Sequence, residues 1–376
     1  MINNGAAQCD TSAALAAAFR YINGRGPDAR GSRQVACRGH AVTFAHSRLA
    51  VIELSALGAQ PMVDAESGWS IVYNGEIYNY REIRAALQAA GQVFNGGSDT
   101  EVLLRAWALW GLDALQRLNG MFAFAALNER TGELWLVRDR FGVKPLLWGR
   151  CPNGDIAFGS SVASIAGMVG TDIDTGYCAR GVRYKAYETA QSGSPYKHVN
   201  AVGAGCWVKF QLSPERIGVT QGRWYSLRDA VARRREAMSH TGDADLLEEC
   251  RQLFDSAVQL RLRSDVPVAV SLSAGLDSAS IACMMQRHGA RAHAFSFGSP
   301  SERSSEGPGT QSLAKATGID VTYIWPRYSS WDLYEVLEKT MAFQEAPFSG
   351  MSPIAQNAVF REVRDAGFKV LLGGQT

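Results

Sequence analysis

The periodicity of the chain changes once, near Asp245, and that change constrains the fold more than any single residue does. Before it, residues 1–165 read mostly as short strands at 41–44, 69–73, 122–126, 133–137 and 155–158, set off by turn signals. Two helical patterns, 80–90 and 99–109, interrupt them. Many short strands with helices set between them predict layered sheets rather than βαβ units. After Asp245 the order is helix 246–261, strand 266–272, helix 278–287, strand 292–297, helix 310–317, strand 320–325, helices 331–341 and 353–365, and strand 369–372. That alternation predicts a parallel sheet with helices on its faces. The stretch between, 166–245, is mixed; 191–195 and the charged 228–236 read as connecting material, and 239–244 as a linker and helix start. The expected domains are therefore 1–165, a segment 166–245 that completes the first domain and links, and 246–376.

Composition narrows the function classes. Of 376 residues, 46% are hydrophobic and 20% charged, with a formal net charge of +2, which suits a well-cored two- or three-domain protein. Arg233-Arg-Arg235 stands beside Glu236 and reads as a solvated helix face, so no nucleic-acid or membrane partner is expected. The seven cysteines form no C-x-x-C pair and the six histidines no H-E-x-x-H, which argues against a disulfide framework and a zinc site. Cys37, Cys151, Cys178 and Cys206 read as small buried hydrophobes. With no long apolar span and no signal peptide in the sequence, a cytoplasmic enzyme is the expectation.

The string Ser271-Leu-Ser-Ala-Gly-Leu-Asp-Ser278 lies between a strand and a helix. Unpaired N–H groups and the helix dipole make such a place an anion site, and Gly275 lets backbone approach an oxygen closely. Ser273 and Ser278 add hydroxyls, while Asp277 can reach a metal or cap the helix. The same residues also make an ordinary helix cap. There is no Walker lysine, so a pyrophosphate held here needs Mg²⁺ for neutralisation.

This loop resembles the S-G-G-x-D-S loop of ATP-pyrophosphatases, and its surroundings resemble the glutamine-hydrolysing asparagine synthetases. The strings are Ser264-Asp-Val-Pro-Val-Ala-Val270, Ala294-Phe-Ser-Phe-Gly298, Glu345-Ala-Pro-Phe348 and Val370-Leu-Leu-Gly-Gly-Gln375. The first half adds Arg25-Gly-Pro-Asp28, His46-Ser-Arg-Leu-Ala-Val-Ile52, Tyr73-Asn-Gly-Glu-Ile-Tyr-Asn79, Ser98-Asp-Thr-Glu101, Asn119-Gly-Met-Phe-Ala-Phe124 and Arg138-Asp-Arg-Phe-Gly-Val-Lys-Pro145. The resemblance implies an αββα glutaminase-like domain of the N-terminal-nucleophile type, followed by an incomplete α/β domain of the adenine-nucleotide α-hydrolase (PP-loop) type. It implies ATP binding by Leu272, Ser273, Gly275, Leu276, Asp277, Ser278, Phe297, Gly373 and Gly374, with Gln375 at the acyl-adenylate and Mg²⁺ at Asp277. It implies glutamine binding by Arg48, Leu49, Ala50, Val51, Ile52, Asn74, Gly75, Glu76 and Asp99.

The chemistry of those residues agrees. Arg48 offers a fork to the α-carboxylate and Asp99 a charge to the ammonium. Asn74 and the Gly75 N–H suit an oxyanion hole. Taken singly, Arg48 could be a surface ion pair, Asn74-Gly75 a hairpin turn, and Ser98 a helix cap with Glu101.

Three departures accompany the resemblance. The family's nucleophilic Cys at position two is Ile2 here, and the first strand is expected to be missing or replaced. Cys9 is the nearest alternative nucleophile, but it would need removal of eight residues and precedes helix-capping Asp-Thr-Ser. Ala274 replaces a Gly, and the sequence ends at Thr376 before the family's Gly-x-Asp-Glu loop. The expected function is an ATP-dependent amide synthetase taking glutamine and a carboxylic acid such as aspartate, with a homodimer as the assembly it admits. The alternatives are a ring-closing relative, like β-lactam synthetases or lasso-peptide cyclases, and an inactive remnant.

Overall fold

The computed structural model describes residues 1–3, 11–185, 187, 193–299, 301, 306–325 and 330–374. They form two compact units, Met1–Ala237 with Glu345–Ser349, and Met238–Gln344 with Gly350–Thr376.

The first unit is built on twelve strands: β1 (Ile2–Asn3), β2 (Ala29–Cys37), β3 (His40–Arg48), β4 (Met62–Asp64), β5 (Trp69–Ile77), β6 (Gly120–Asn128), β7 (Glu133–Arg138), β8 (Leu147–Arg150), β9 (Ile156–Gly159), β10 (Asn200–Ala201), β11 (Cys206–Ser213) and β12 (Arg216–Arg223). Its helices are α1 (Thr11–Ile22), α2 (Tyr80–Ala89), α3 (Asp99–Trp110), α4 (Ala114–Arg117), α5 (Val162–Val169), α6 (Thr175–Tyr184) and α7 (Leu227–Ala237). The strands make two six-stranded antiparallel sheets, β10-β8-β9-β1-β3-β2 and β12-β11-β7-β6-β5-β4. Ile2, Val42, Phe44 and Ile156 of one sheet share a core with Ala123, Leu134, Leu136, Val208 and Phe210 of the other. Helices α1 and α5 pack on the outer face of the first sheet, and α3, with α2 against it, on the second. The layers are thus α, β, β, α, as the resemblance implied. Strand β6 reads as one apolar run because both its faces are covered: Ala123, Ala125 and Leu127 face the other sheet, while Phe124 lies under Trp107 of α3 with ring centroids 5.2 Å apart.

Of the two outcomes expected for the first strand, missing or replaced, the structure shows a strand present with Ile2 in it: β1 stands in the middle of its sheet, pairing with β3 and β9, and Ile2 is fully buried. Segment 228–236 lies inside α7, the helix that ends at the boundary between the two units, and none of its residues is buried, so it shows no apolar stripe. Strands β2, β4, β8, β10, β11 and β12 escaped the sequence reading. Four of them, β2, β4, β10 and β12, are sheet edges, and the two long edge strands carry Arg30, Arg33 and Gln34, or Arg216, Thr220 and Gln221, where an inner strand would carry apolar residues.

The second unit follows the expected alternation: α8 (Asp243–Arg261), β13 (Val268–Ser271), α9 (Leu276–Arg287), β14 (His293–Phe297), α10 (Gly307–Thr317), β15 (Asp320–Ile324), α11 (Ser330–Gln344), α12 (Ser352–Asp365) and β16 (Val370–Leu372). The four strands form a parallel sheet in the order β15-β14-β13-β16. Val270, Leu272 and Ala294 meet α8 and α9 through Val258, Ala282 and Met285. Ala269 and Phe295 point the other way, onto Ala358, Val359 and Val363 of α12. Because the strands are parallel, the loops after β13, β14 and β16 leave the sheet at one end. Among the described residues no helix is long and apolar enough to cross a membrane.

Candidate functional site

Three elements of the first unit converge on one cavity: the end of β3, the second half of β5 and the first turn of α3. In β5, Gly75 adopts φ 153°. A Cβ there would lie 2.1 Å from the Met121 carbonyl oxygen, so β5 and β6 approach this closely only with glycine. At α3, Ser98 Oγ accepts from Glu101 N at 3.1 Å, and the Glu101 carboxylate takes the N–H groups of Asn95 at 2.8 Å and Gly96 at 2.9 Å. Capping falls to Ser98, which frees Asp99 to turn inward. Asp99 Oδ2 there accepts from Tyr73 Oη at 2.9 Å and Ile77 N at 3.0 Å.

The cavity has a volume of about 290 Å³ and is lined by Arg48, Leu49, Val51, Ile52, Asn74, Gly75, Glu76 and Asp99. All nine residues named from the sequence for glutamine are thus in or beside one place, the ninth being Ala50. Its N–H donates to Asp28 Oδ2 at 2.7 Å and ties the Arg25-Gly-Pro-Asp28 loop to the end of β3. Asn74 Nδ2 is buried with no hydrogen-bond partner among the described residues. Such a donor is costly to bury unless something arrives to accept from it.

Arg48 differs from its expected posture. It is buried, with Nη1 donating to Ser55 O at 2.8 Å and Nη2 to Ile52 O at 3.4 Å and to Glu53 O. A guanidinium has five N–H donors, so three are spent on the chain and the open two-pronged fork is not free in this structure. Burial holds the Asp99 carboxyl above the usual carboxylate range, against the pull of its hydrogen bonds from Ile77 and Tyr73. Burial likewise pulls His46 down to about 4, with its Nε2 3.2 Å from Tyr73 O. His46 is therefore neutral at pH 7.

Four further residues were not singled out from the sequence. Gln60 is buried, accepting from Tyr73 N at 2.6 Å and donating to Thr100 Oγ1 at 3.3 Å, and so joins β5 to α3. Tyr73 holds Asp99, as described. Arg25 lines the cavity and gives Nη1 to Ser160 O at 2.9 Å and Ser160 Oγ at 3.3 Å. Lys144 lines the cavity too, and burial pushes its ammonium down. Tyr73, Arg25 and Lys144 stand inside the quoted strings, so a signal existed for them; Gln60 had none.

Cys9 and Gln375 lie outside the described residues. Of the other cysteines, Cys37 and Cys151 are buried, Cys178 and Cys206 half-buried, and Cys250 and Cys283 exposed; none lines the cavity.

In the second unit the loop after β13 closes on itself. Ser278 Oγ accepts from Ser273 N at 3.0 Å and lies 2.7 Å from Ser273 Oγ, which accepts from Gly275 N at 3.2 Å. Gly275 is the N-cap of α9. Ala274 lies outside the positive-φ residues, so its methyl is tolerated, and it packs where Gly309 leaves room. Gly374 comes down on the start of α9: a Cβ on it would stand 2.8 Å from Ser278 N. Leu272 is buried in the core, while Leu276 and Phe297 stand at the end of the sheet, Leu276 being 81% exposed. Among the described residues no three His, Cys, Asp or Glu side chains gather as a metal site. Asp277, the residue expected to reach Mg²⁺, stands in the first turn of α9.

Residues 3–225 match the family model of the glutamine amidotransferase domain, and residues 249–376 that of asparagine synthase. The chain belongs to the glutamine-hydrolysing asparagine synthetase family. It is 30% identical over 360 residues to asparagine synthetase 3 of Bacillus subtilis, a match covering 89% of this chain and 55% of the relative. Asparagine synthetase 1 of the same organism is 31% identical over 297 residues, 79% of this chain and 44% of that one. Amidase chry2 of Gibberella zeae is 28% identical over 376 residues, 96% of this chain and 54% of that protein. The chain thus spans about half the length of the relatives it matches. The boundary between the two family models falls in 226–248, where α7 ends and α8 begins.

Proposed function

We propose that the first unit binds glutamine and the second binds ATP, as parts of an ATP-dependent, amide-forming synthetase. The observation that carries this reading is the unpartnered Asn74 Nδ2 in a cavity that also holds Asp99 and Arg48. Asp99 takes the substrate ammonium, its carboxylate being held still by Tyr73 and Ile77. Asn74 and Gly75 N–H face the carboxamide oxygen, where charge develops if the amide is attacked. In the second unit, Gly275, Ser273, Ser278 and Gly374 receive the phosphates, and Leu276 and Phe297 the nucleotide. Bound Mg²⁺ supplies charge neutralisation for pyrophosphate as it leaves. Aspartate is the proposed acceptor and asparagine the product.

Since no described thiol lines the cavity, a second reading is favoured beside it: a relative that kept the amino-acid site without hydrolysing glutamine. Calorimetric titration of glutamine into the full chain and into Asp99→Asn tests the core of both. Loss of an ion-paired hydrogen bond predicts weaker binding by roughly 10- to 100-fold in the variant. Equal affinity in the two proteins would sink the assignment. Glutamate release on adding glutamine then separates the first reading from the second.

A further inference from the structure

We infer that a second cavity of the first unit is a strand slot: it takes a separate three-residue peptide, extended and antiparallel to β3, small at the end nearest Met1 and apolar in the middle. The inference rests on the sheet and is independent of what the first cavity binds.

Strand β1 is two residues long and lies between β3 and β9, both of which run on past it. Met1 and Thr43 exchange two main-chain bonds, each at 2.9 Å, and Ile2 faces Ile156 on the other side. In an antiparallel ladder the bonding residues recur at every second position. The N–H and C=O of Ala45 therefore point the same way as those of Thr43, and those of Phe158 the same way as those of Ile156. No described strand lies in the gap they face. A cavity of about 140 Å³ does, lined by Met1, Thr43, Ala45 and Phe158. Thr43 Oγ1 and Asn3 Oδ1 are buried in its wall with no hydrogen-bond partner among the described residues. Arg25 Nη1 takes Ser160 O, the next carbonyl that would face the gap, and so marks its far end. Three places in line with β1, at about 3.3 Å each, fill the distance.

Walls that present main-chain groups from both sides are matched by an extended backbone, which carries donor and acceptor pairs to left and right in turn. The walls also set the side chains. Ile2 points into the core between the sheets, so the first place beyond Met1, two residues away, points there too. Phe44 and Phe158 meet over that place, with ring centroids 5.9 Å apart, and leave room for a small residue. The second place points to the helix layer, where Leu15 and Ala18 of α1 and Met168 of α5 line the cavity. An apolar side chain suits it.

Acetyl-Ala-Val-Gly-amide, with its Gly nearest Met1, is titrated into the full chain and followed by NMR. Saturable binding below about 10 mM is expected, with slowed exchange of the Ala45 and Phe158 amides. N-methylation of the Val removes its bond to Ala45 O and weakens binding about tenfold. A peptide with Asp for Val buries a charge beside Leu15 and Met168 and binds at least about 100-fold more weakly. A peptide with Val for Gly binds Phe158→Ala but not wild type. No saturation by about 10 mM, equal affinity of the N-methylated peptide, or protection of other amides instead would overturn the inference. So would protection of Ala45 and Phe158 without peptide in a chain that self-associates, since a second copy would then fill the gap.

Discussion

The two units carry sites of opposite character. In the first, the groups that face the cavity are held by neighbours in the sandwich: Tyr73 and Ile77 N hold Asp99, Gln60 holds Tyr73, and Asp139 and Arg138 hold the turn of Lys144. In the second, the residues that would face a phosphate bond one another, Ser273 to Ser278 and Gly275 to Ser273. The first site stands ready with open donors, and the second must exchange internal bonds for bonds to its ligand. Preorganisation of this kind comes from a supporting shell. The antiparallel sandwich supplies one because two sheets and a helix converge on the cavity. A loop at the end of a parallel sheet has neighbours on one side only.

Glycines give the sharpest test of that contrast. Gly75→Ala forces a methyl to 2.1 Å from the Met121 carbonyl at a φ of 153°. Strain and overpacking together predict a loss of roughly 3 kcal/mol or more. Gly373→Ala at the end of β16 meets nothing within 4 Å and is expected to stay within about 0.5 kcal/mol of wild type. Urea denaturation of the full chain and both variants reads the difference. Similar losses at the two positions would mean that the first cavity is no more tightly framed than the second.

His46 offers a gentler probe of the same frame. Its folded value of about 4 lies below the ordinary 6.5, so the unfolded chain binds the proton first as pH falls. The stability His46 contributes is whole above about pH 6.5 and is lost progressively towards pH 4. By pH 5 the loss is about 2 kcal/mol. His46→Gln should remove about that much of the decline between pH 7 and pH 5, as followed by denaturant midpoints. A decline of unchanged size in the variant would show that the ring is not dry.

Sequence resemblance found much of the cavity's lining because those residues stand in short contiguous strings, 46–52, 73–79 and 98–101. What it could not find is the supporting geometry. Gln60 has no motif around it; its role appears only when β5 and α3 are brought side by side. Arg48 was legible as a cation at the cavity, but not as one that turns its fork onto the 52–55 carbonyls, since those come from the loop's path. The parallel sheet was legible nearly strand by strand, because buried strands between helices leave continuous apolar runs. Edge strands β2 and β12, exposed along one side, left no such mark. In the string 98–101 the helix-cap reading holds for Ser98, and by capping it leaves its neighbour Asp99 turned to the cavity.

The smallest expected effect lies in the second unit. Ser278→Ala removes the acceptor of Ser273 N and one partner of Ser273 Oγ. The lost bonds are worth about 1 kcal/mol of stability, and exchange of the Ser273 amide should quicken by a corresponding factor. ATP affinity should fall by less than about tenfold, because in free wild type the Ser278 hydroxyl is already occupied and must give up those bonds to serve a phosphate. A fall of a hundredfold or more, measured by titrating ATP with Mg²⁺, would mean that this hydroxyl is as free to bind as Asn74 Nδ2. The contrast between a framed cavity and a self-bonded loop would then be broken from the nucleotide side.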